Sequence, residues 1–371
     1  LGGSYSYYSC PHWGELDWVD GLDRSQIGGR WYDNDVNKHD ANLFARANWQ
    51  VTDGLRLFGD LQYRYVSYRT WGVNDNFVSE EAGMQPIDVD KQYHFFNPRA
   101  GVSYTLAERS NFYLSFAIAQ KEPTRSDFTD RYKFAADDSY PSSEKLYDWE
   151  LGYTYTAPRL SLGVNLYYMK YKDQLVPTGM VNDGDDALNV NVPDSYRRGV
   201  ELSASWRATG WFTVGANATF AQNRIENYVD ALKDSPTYGK ELGDRTIAYS
   251  PDVIANAFLD FHYRGFEAVL HTQYVGKQYF TNNENNALSL DAYCVTNLNL
   301  AYTFRTRSAR SVRLGLLINN LFNAEYESNG YGYSYMDTWS GPAPVRIDEA
   351  FYFPQAPLNV LANVTVLSLI H

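Results

Sequence analysis

Apolar and polar residues alternate along much of this chain with a period of two. Between 160 and 171, Leu160, Leu162, Val164, Leu166 and Tyr168 fall on one side. Ser161, Gly163, Asn165, Tyr167 and Tyr171 fall on the other. Such alternation predicts a β-strand with one apolar face. The pattern recurs in stretches of about ten residues, separated alternately by terse turns and long polar segments, which is the signature of a transmembrane antiparallel β-barrel.

About fourteen strands are expected on this criterion, at 1–8, 41–51, 55–68, 93–105, 111–120, 146–156, 160–172, 196–207, 211–223, 250–263, 266–276, 291–304, 312–321 and 357–368. In the third, Leu55, Leu57, Gly59, Leu61, Tyr63 and Tyr65 share a face, while Arg56, Asp60, Gln62 and Arg64 take the other. A charge facing lipid at mid-membrane costs ~2–4 kcal/mol. The charged face is therefore expected to line a wet lumen, with Glu150, Glu201, Asp260 and Glu267 on the same side of later strands.

The tight connections are Asp53-Gly54, Pro158-Arg159, Thr209-Gly210 and Arg264-Gly265, whose residues suit turn geometry. The long ones are 9–40, 69–92, 121–145, 173–195, 224–249, 277–290 and 322–356. In outer-membrane barrels the short turns face the periplasm and the long loops face outside. No repeated blade motif supports a propeller. A sandwich rarely needs so many long strands.

Composition narrows the partners. A formal net charge of −12 excludes a basic nucleic-acid surface. The longest apolar stretches, such as Leu314 to Ile318, are far short of the ~20 residues a spanning helix needs. Aromatic residues make up 16%, with 32 Tyr and 9 Trp, the residue types that settle at membrane–water boundaries. Cys10, in an expected polar loop, and Cys294, in a strand, are read as unpaired. The chain opens on Leu1-Gly2-Gly3-Ser4 without a charged segment and apolar run, so it is expected to be a mature, processed or truncated piece.

Chemistry-bearing motifs are sparse. No GxSxG, HExxH, P-loop or dinucleotide fingerprint occurs, so no enzyme activity and no cofactor are expected. Asp33-Asn34-Asp35-Val36-Asn37 spaces oxygen ligands as a calcium loop does, but Lys38 stands where such a loop needs Gly and Phe44 where it needs Glu. This stretch and the Asp183, Asp185 and Asp186 cluster read as solvated loops, and no metal site is expected. His262 and His271 flank one short turn and read as pore-lining. The candidate ligand surface is the outer loops. There Trp13, Trp18 and Trp31 cluster in one segment, and Tyr331, Tyr333, Tyr335 and Trp339 in another.

Several motifs together carry a family resemblance. Leu317-Ile318-Asn319-Asn320-Leu321-Phe322-Asn323 followed by Glu325-Tyr326 resembles the penultimate-strand signature of TonB-dependent outer-membrane receptors. Tyr352-Phe353-Pro354-Gln355-Ala356-Pro357 resembles that family's terminal segment. Trp31-Tyr32-Asp33-Asn34-Asp35, Asn97-Pro98-Arg99-Ala100-Gly101, Lys121-Glu122-Pro123-Thr124-Arg125, Glu144-Lys145-Leu146-Tyr147-Asp148-Trp149-Glu150 and Asn191-Val192-Pro193-Asp194-Ser195-Tyr196 resemble receptors of Bacteroides-type bacteria.

The resemblance implies a 22-stranded barrel around an N-terminal plug. Residues 1–371 are then a single partial barrel domain, the C-terminal part, without the plug and first strands. The terminal Leu369-Ile370-His371 departs from the aromatic end usual in such barrels. The implied function is TonB-dependent import of a scarce siderophore, haem, cobalamin or glycan across the cell outer membrane of a Gram-negative, Bacteroides-like bacterium. The implied partners are outer-membrane lipid, the plug, the TonB energy-coupling complex, a surface lipoprotein lid and a small-molecule or glycan ligand. A passive porin-like or structural barrel is the alternative.

Overall fold

The computed structural model describes residues 1–18, 20–21, 27–81, 83–130, 140–181, 187–231, 237–306 and 310–367. The Asp183, Asp185 and Asp186 cluster and Leu369-Ile370-His371 lie outside them. The described residues form strands β1 (Gly2–Glu15), β2 (Arg30–Gln50), β3 (Leu55–Ser79), β4 (Gly83–Ala107) and β5 (Ser110–Lys121), then helix α1 (Arg125–Thr129). Next come β6 (Glu144–Thr156), β7 (Leu160–Val181), β8 (Ala187–Arg207), β9 (Phe212–Ile225), β10 (Arg245–Thr246), β11 (Val253–Tyr263) and β12 (Phe266–Val275). The last are β13 (Gln278–Tyr279), β14 (Ser289–Leu290), β15 (Tyr293–Phe304), β16 (Ser311–Asn319), β17 (Glu327–Asp337), β18 (Val345–Pro354) and β19 (Asn359–Leu367).

Fourteen of these lie side by side in the order β1 to β9, β11, β12, β15, β16, β19, with β10 added beside β9 in a 15-stranded sheet. They are the expected strands, in the expected order. Neighbours are antiparallel throughout, because each connection is a hairpin. Arg264 and Gly265 take φ of 48° and 86°, the pair of positive angles that a two-residue type I′ hairpin requires. The edges of the sheet are β1 and β19.

Register separates the two faces cleanly. Leu114, Leu151, Leu166, Val200 and Phe220 stand in one row across β5, β6, β7, β8 and β9. The adjacent row is Ser115, Glu150, Tyr167, Gly199 and Ala221. A slip of one residue would put Glu150 into the apolar row. Leu151, Leu162 and Leu202 are 47, 38 and 41% exposed, so no second layer among the described residues covers this face. It is the face that meets acyl chains. Exposed Trp49, Tyr104, Trp206, Trp211 and Tyr302 mark its margin at the turn end, and Tyr63, Phe96, Trp149 and Tyr168 the margin at the loop end.

The expected loop boundaries are corrected at the loop end. β3 and β4 run 25 residues each, and β2, β7 and β8 run 21 or 22, well beyond the ~9–11 needed to span a membrane. Much of 9–40, 69–92 and 173–195 is therefore strand. Beyond the hydrocarbon neither face must be apolar, so the alternation stops while the backbone pairing continues. Cys10 consequently lies in β1 and not in a loop; it and Cys294 are free thiols. Asp33-Asn34-Asp35 lies in β2, where successive side chains point to opposite faces and cannot encircle one ion.

The buried apolar clusters sit at the loop end. One joins Val36, Tyr68, Ile87, Val89 and Phe128; a second joins Val176, Val192, Ile225, Tyr228 and Ile247; a third joins Phe280, Leu288 and Leu290. On β7 the buried set changes phase. Tyr167, Met169 and Tyr171 share the polar face of the wall, but Gln174, Val176 and Thr178 are the buried residues above it. Asp173, at φ 53°, makes the switch between odd and even positions.

Substituting Val164→Arg on the apolar face should lower stability by about 2–4 kcal/mol in lipid vesicles, read by urea unfolding. Asn165→Arg, one residue on and beside Glu201, should cost less than about 1 kcal/mol. Equal losses would refute the assignment of the faces.

Candidate functional site

Arg56, Asp60, Arg64, Glu150, Glu201, Asp260 and Glu267 all lie on the register face opposite the apolar one. Arg46 reaches Asp60 at 3.0 Å, Arg313 reaches Glu267 at 2.7 Å, and His262 lies 2.5 Å from Asp260. Asn165 donates to Glu201 at 3.2 Å. Asp148, Glu150 and Glu201 have no ion-pair partner among the described residues. His271 shares this face, opposite Phe258 and Asn297.

Arg64 does more than line the wall. Its guanidinium binds Asp40 through Nε at 3.0 Å and Nη2 at 2.6 Å, and Glu122 through Nη1 at 2.8 Å and Nη2 at 2.9 Å. Lys38 donates to Glu122 at 2.7 Å. Two cations and two carboxylates thus neutralise one another, and their forked geometry is the strong form of the ion pair. Burial works to raise the Glu122 carboxyl, but the hydrogen bonds from Lys38 and Arg64 outweigh it and hold Glu122 below the usual carboxylate range.

This network anchors the segment that follows β5. Thr124 donates to Asp127 Oδ2 from both its backbone nitrogen and its hydroxyl, each at 2.7 Å, which starts α1. Arg125 Nη2 donates to Asn74 Oδ1 at 2.7 Å and Asn34 Oδ1 at 3.1 Å. Phe128 stacks on Tyr68, ring centres 5.7 Å apart, and burying such a side chain stabilises by about 1.5–3 kcal/mol. Asn189 on β8 donates to Asp127 at 3.0 Å. The expected outer loop at 121–145 therefore begins as a structured brace against the inner side of β2, β3 and β4. Sequence reasoning missed it, since Glu122 meets partners 58 and 84 residues away.

Beside the brace lies a cavity of about 560 Å³, walled in part by Asp127, Tyr140, Asn189, Asn191, Glu226 and Tyr228. Burial pushes the Tyr228 phenol up to about 12. The third apolar cluster supports the β17–β18 hairpin. Gly330 and Gly332 face Phe280 and Leu288 so closely that a Cβ would stand 2.7 Å from Phe280 at the first and 2.8 Å from Leu288 at the second. The intervening tyrosines take the opposite face. Tyr331 stacks on Phe351 at 5.0 Å, and Tyr333 and Tyr335 each donate to Glu349 at 3.0 Å. The hairpin leaves β16 yet touches β7, six steps along the sheet, or ~29 Å of wall at ~4.8 Å per strand.

The structure brings Tyr331, Tyr333 and Tyr335 into one aromatic ladder, with Trp339 at its tip, 86% exposed. Trp13, with Arg30 over its ring at 4.7 Å, and Trp31, edge-on to Tyr32 at 4.8 Å, belong to the β1–β2 hairpin, and Trp18 lies between those strands. The two groups belong to separate sheets, the β1–β2 pair of the wall and the β17–β18 hairpin.

Gly332→Leu should destabilise the hairpin by about 1–3 kcal/mol through overpacking, seen as faster limited proteolysis between 337 and 345. Glu122→Gln should loosen 122–130 by about 3 kcal/mol at neutral pH, because Arg64 and Lys38 lose a buried counter-charge, and hydrogen exchange of that segment reads the loss. The Glu122 contribution is complete above its unfolded value near 4.5 and fades as pH falls through the lower folded value. The variant should therefore show a flatter response below pH 4.5.

Comparison with known proteins accords with this architecture. Residues 1–321 match the family model "TonB dependent receptor-like, beta-barrel". The pesticin receptor of Yersinia enterocolitica is 26% identical over 190 residues, 51% of this chain and 26% of that protein. The ferric-catecholate import receptor Fiu of E. coli K12 superposes with a TM-score of 0.66 at 16% identity, covering 98% of this chain and 50% of Fiu. The ferric yersiniabactin uptake receptor FyuA of Yersinia pestis gives 0.63 at 17% identity, covering 92% and 48%. The chain spans about half the length of these solved structures and a quarter of the curated relative. With a family match over most of its length, the chain belongs to the TonB-dependent receptor-like β-barrel family.

Proposed function

We propose that this chain forms the greater part of the wall and outer mouth of an outer-membrane receptor that imports a scarce ligand by TonB-dependent energy coupling. The observation that carries the reading is the pairing of a membrane-facing wall with a polar inner face and a built loop end. The wall alone would serve a pore. The brace, the 560 Å³ cavity and the aromatic ladder give the mouth ordered surfaces on which a ligand can be held.

In this reading the ladder residues Tyr331, Tyr333 and Tyr335 and the exposed Trp13, Trp18, Trp31 and Trp339 offer broad, rigid contacts to a ring system or sugar face. Asp148, Glu150 and Glu201 face the lumen without an ion-pair partner among the described residues, which favours a central body presenting basic side chains, as a plug domain would. The open edges of β1 and β19 favour completion of the barrel by further strands, because an unpaired strand edge in hydrocarbon leaves backbone groups unsatisfied.

The test uses the complete receptor. Cells carrying it should take up a ferric chelate, haem, cobalamin or an oligosaccharide in a saturable manner, and deletion of TonB should abolish uptake. Vesicles containing it should not swell in small sugars. Swelling without an energy source, with no ligand bound, would identify a passive pore instead.

A further inference from the structure

The lipid-facing side of the wall carries an unexpected concentration of positive charge at the loop-end margin. Lys145 on β6 and Lys170 and Lys172 on β7 fall in phase with the outward Tyr147 and Tyr168. Arg198 on β8 and Arg224 on β9 fall in phase with Val200 and Phe220. Three carboxylates answer these five cations. Asp194 meets Lys170 at 2.9 Å and Lys172 at 2.5 Å, Glu226 also meets Lys170, and Asp252 meets Arg224 at 3.3 Å. The patch is thus net positive on a chain whose net charge is −12.

Two of the cations have no carboxylate partner among the described residues. Lys145 sits directly opposite Lys172 in the ladder, a like-charge pair that destabilises the sheet by itself. Its ammonium lies 4.9 Å from the Tyr147 ring centre. Arg198 is exposed and held in place by neutral groups: Gln222 accepts from its Nε at 2.9 Å and its Nη2 at 2.6 Å, and the Tyr196 ring lies 5.2 Å away.

Arg198 borders an outward depression of about 590 Å³ beside Tyr168, Val200 and Phe220. Just below it, Ala204, Ala216, Ala218, Ala255 and Ala257 leave a second, apolar hollow of about 560 Å³ in the wall. Cations at the boundary with an apolar trough beneath them match a molecule with an anionic head and a hydrocarbon tail. The cations sit at the loop end, so that molecule belongs to the leaflet the loops face.

We propose that this face of β6 to β11 binds a phosphorylated lipid of the outer leaflet, with Arg198 and Lys145 receiving phosphate oxygens and the alanine hollow receiving an acyl chain. The charge complementarity selects lipid phosphate over a neutral headgroup, and the hollow selects lipid over free phosphate. The inference rests on the membrane-facing wall and not on the identity of the imported ligand, so a failed uptake assay leaves it standing.

The complete receptor, stripped of lipid in a neutral detergent, provides the test by native mass spectrometry. The probes are phosphorylated lipid A, the same lipid after phosphatase treatment, and inorganic phosphate. The phosphorylated lipid should stay bound to the wild type, and the R198Q/K145Q double variant should bind it on the order of thirtyfold more weakly, from about one membrane-surface charge at each position. Neither substitution breaks an ion pair, and R198K/K145R should restore binding. Equal binding of the two lipid forms, equal binding by wild type and R198Q/K145Q, or full displacement by millimolar inorganic phosphate would overturn the proposal.

Discussion

Inside hydrocarbon a peptide group has no water to bond, so each strand of this wall depends on the one beside it. That requirement explains the uninterrupted ladder from β1 to β19 and the antiparallel hairpins that build it. It also explains why register is held so firmly. The row from Leu114 to Phe220 is apolar in every strand, and the row beside it contains Glu150. Neither the sequence nor the fold tolerates an odd shift, because the same backbone bonds would then place carboxylates against lipid.

Once the chain leaves the membrane the constraint relaxes, and a different physics takes over. The buried clusters of Val36 and Phe128, of Ile225 and Tyr228, and of Phe280 and Leu288 lie where loops fold back on strands. A polar lumen forbids an apolar core within the wall, so the ordinary hydrophobic effect operates at the loop end. There it orders the segments that join the strands. The brace built on Glu122 and Arg64 fixes one side, and the glycine-lined seat of β17 on Phe280 fixes the other.

What could be read from the sequence follows the same division. All fourteen wall strands were legible, because lipid on one side and water on the other impose a period of two. Their outer extensions were not: the upper half of β3, from Ser67 to Ser79, buries alternate positions, but Thr70, Asn74 and Asn76 are among them, so apolar and polar residues do not alternate. The loop at 322–356 was read from its aromatic residues alone; that Gly330 and Gly332 seat against Phe280 was not legible, because Phe280 lies some fifty residues earlier. The Glu122 network left no local trace, since its other charges, Lys38, Asp40 and Arg64, come from the distant strands β2 and β3. Single aromatic residues such as Trp18 and Trp339 were named from type alone, and only the fold shows that they belong to two different hairpins.

The left-handed turn of Asp173 has a reach beyond its one residue. Below it, β7 answers to the bilayer; above it, the same strand answers to Val192 and Ile225. Because the phase is reset at that point, the side chains buried in the upper hairpin alternate independently of those that face the wall's two sides. The joint divides the strand into a stave and a tip, so the packing of one sets no condition on which side chains of the other meet lipid.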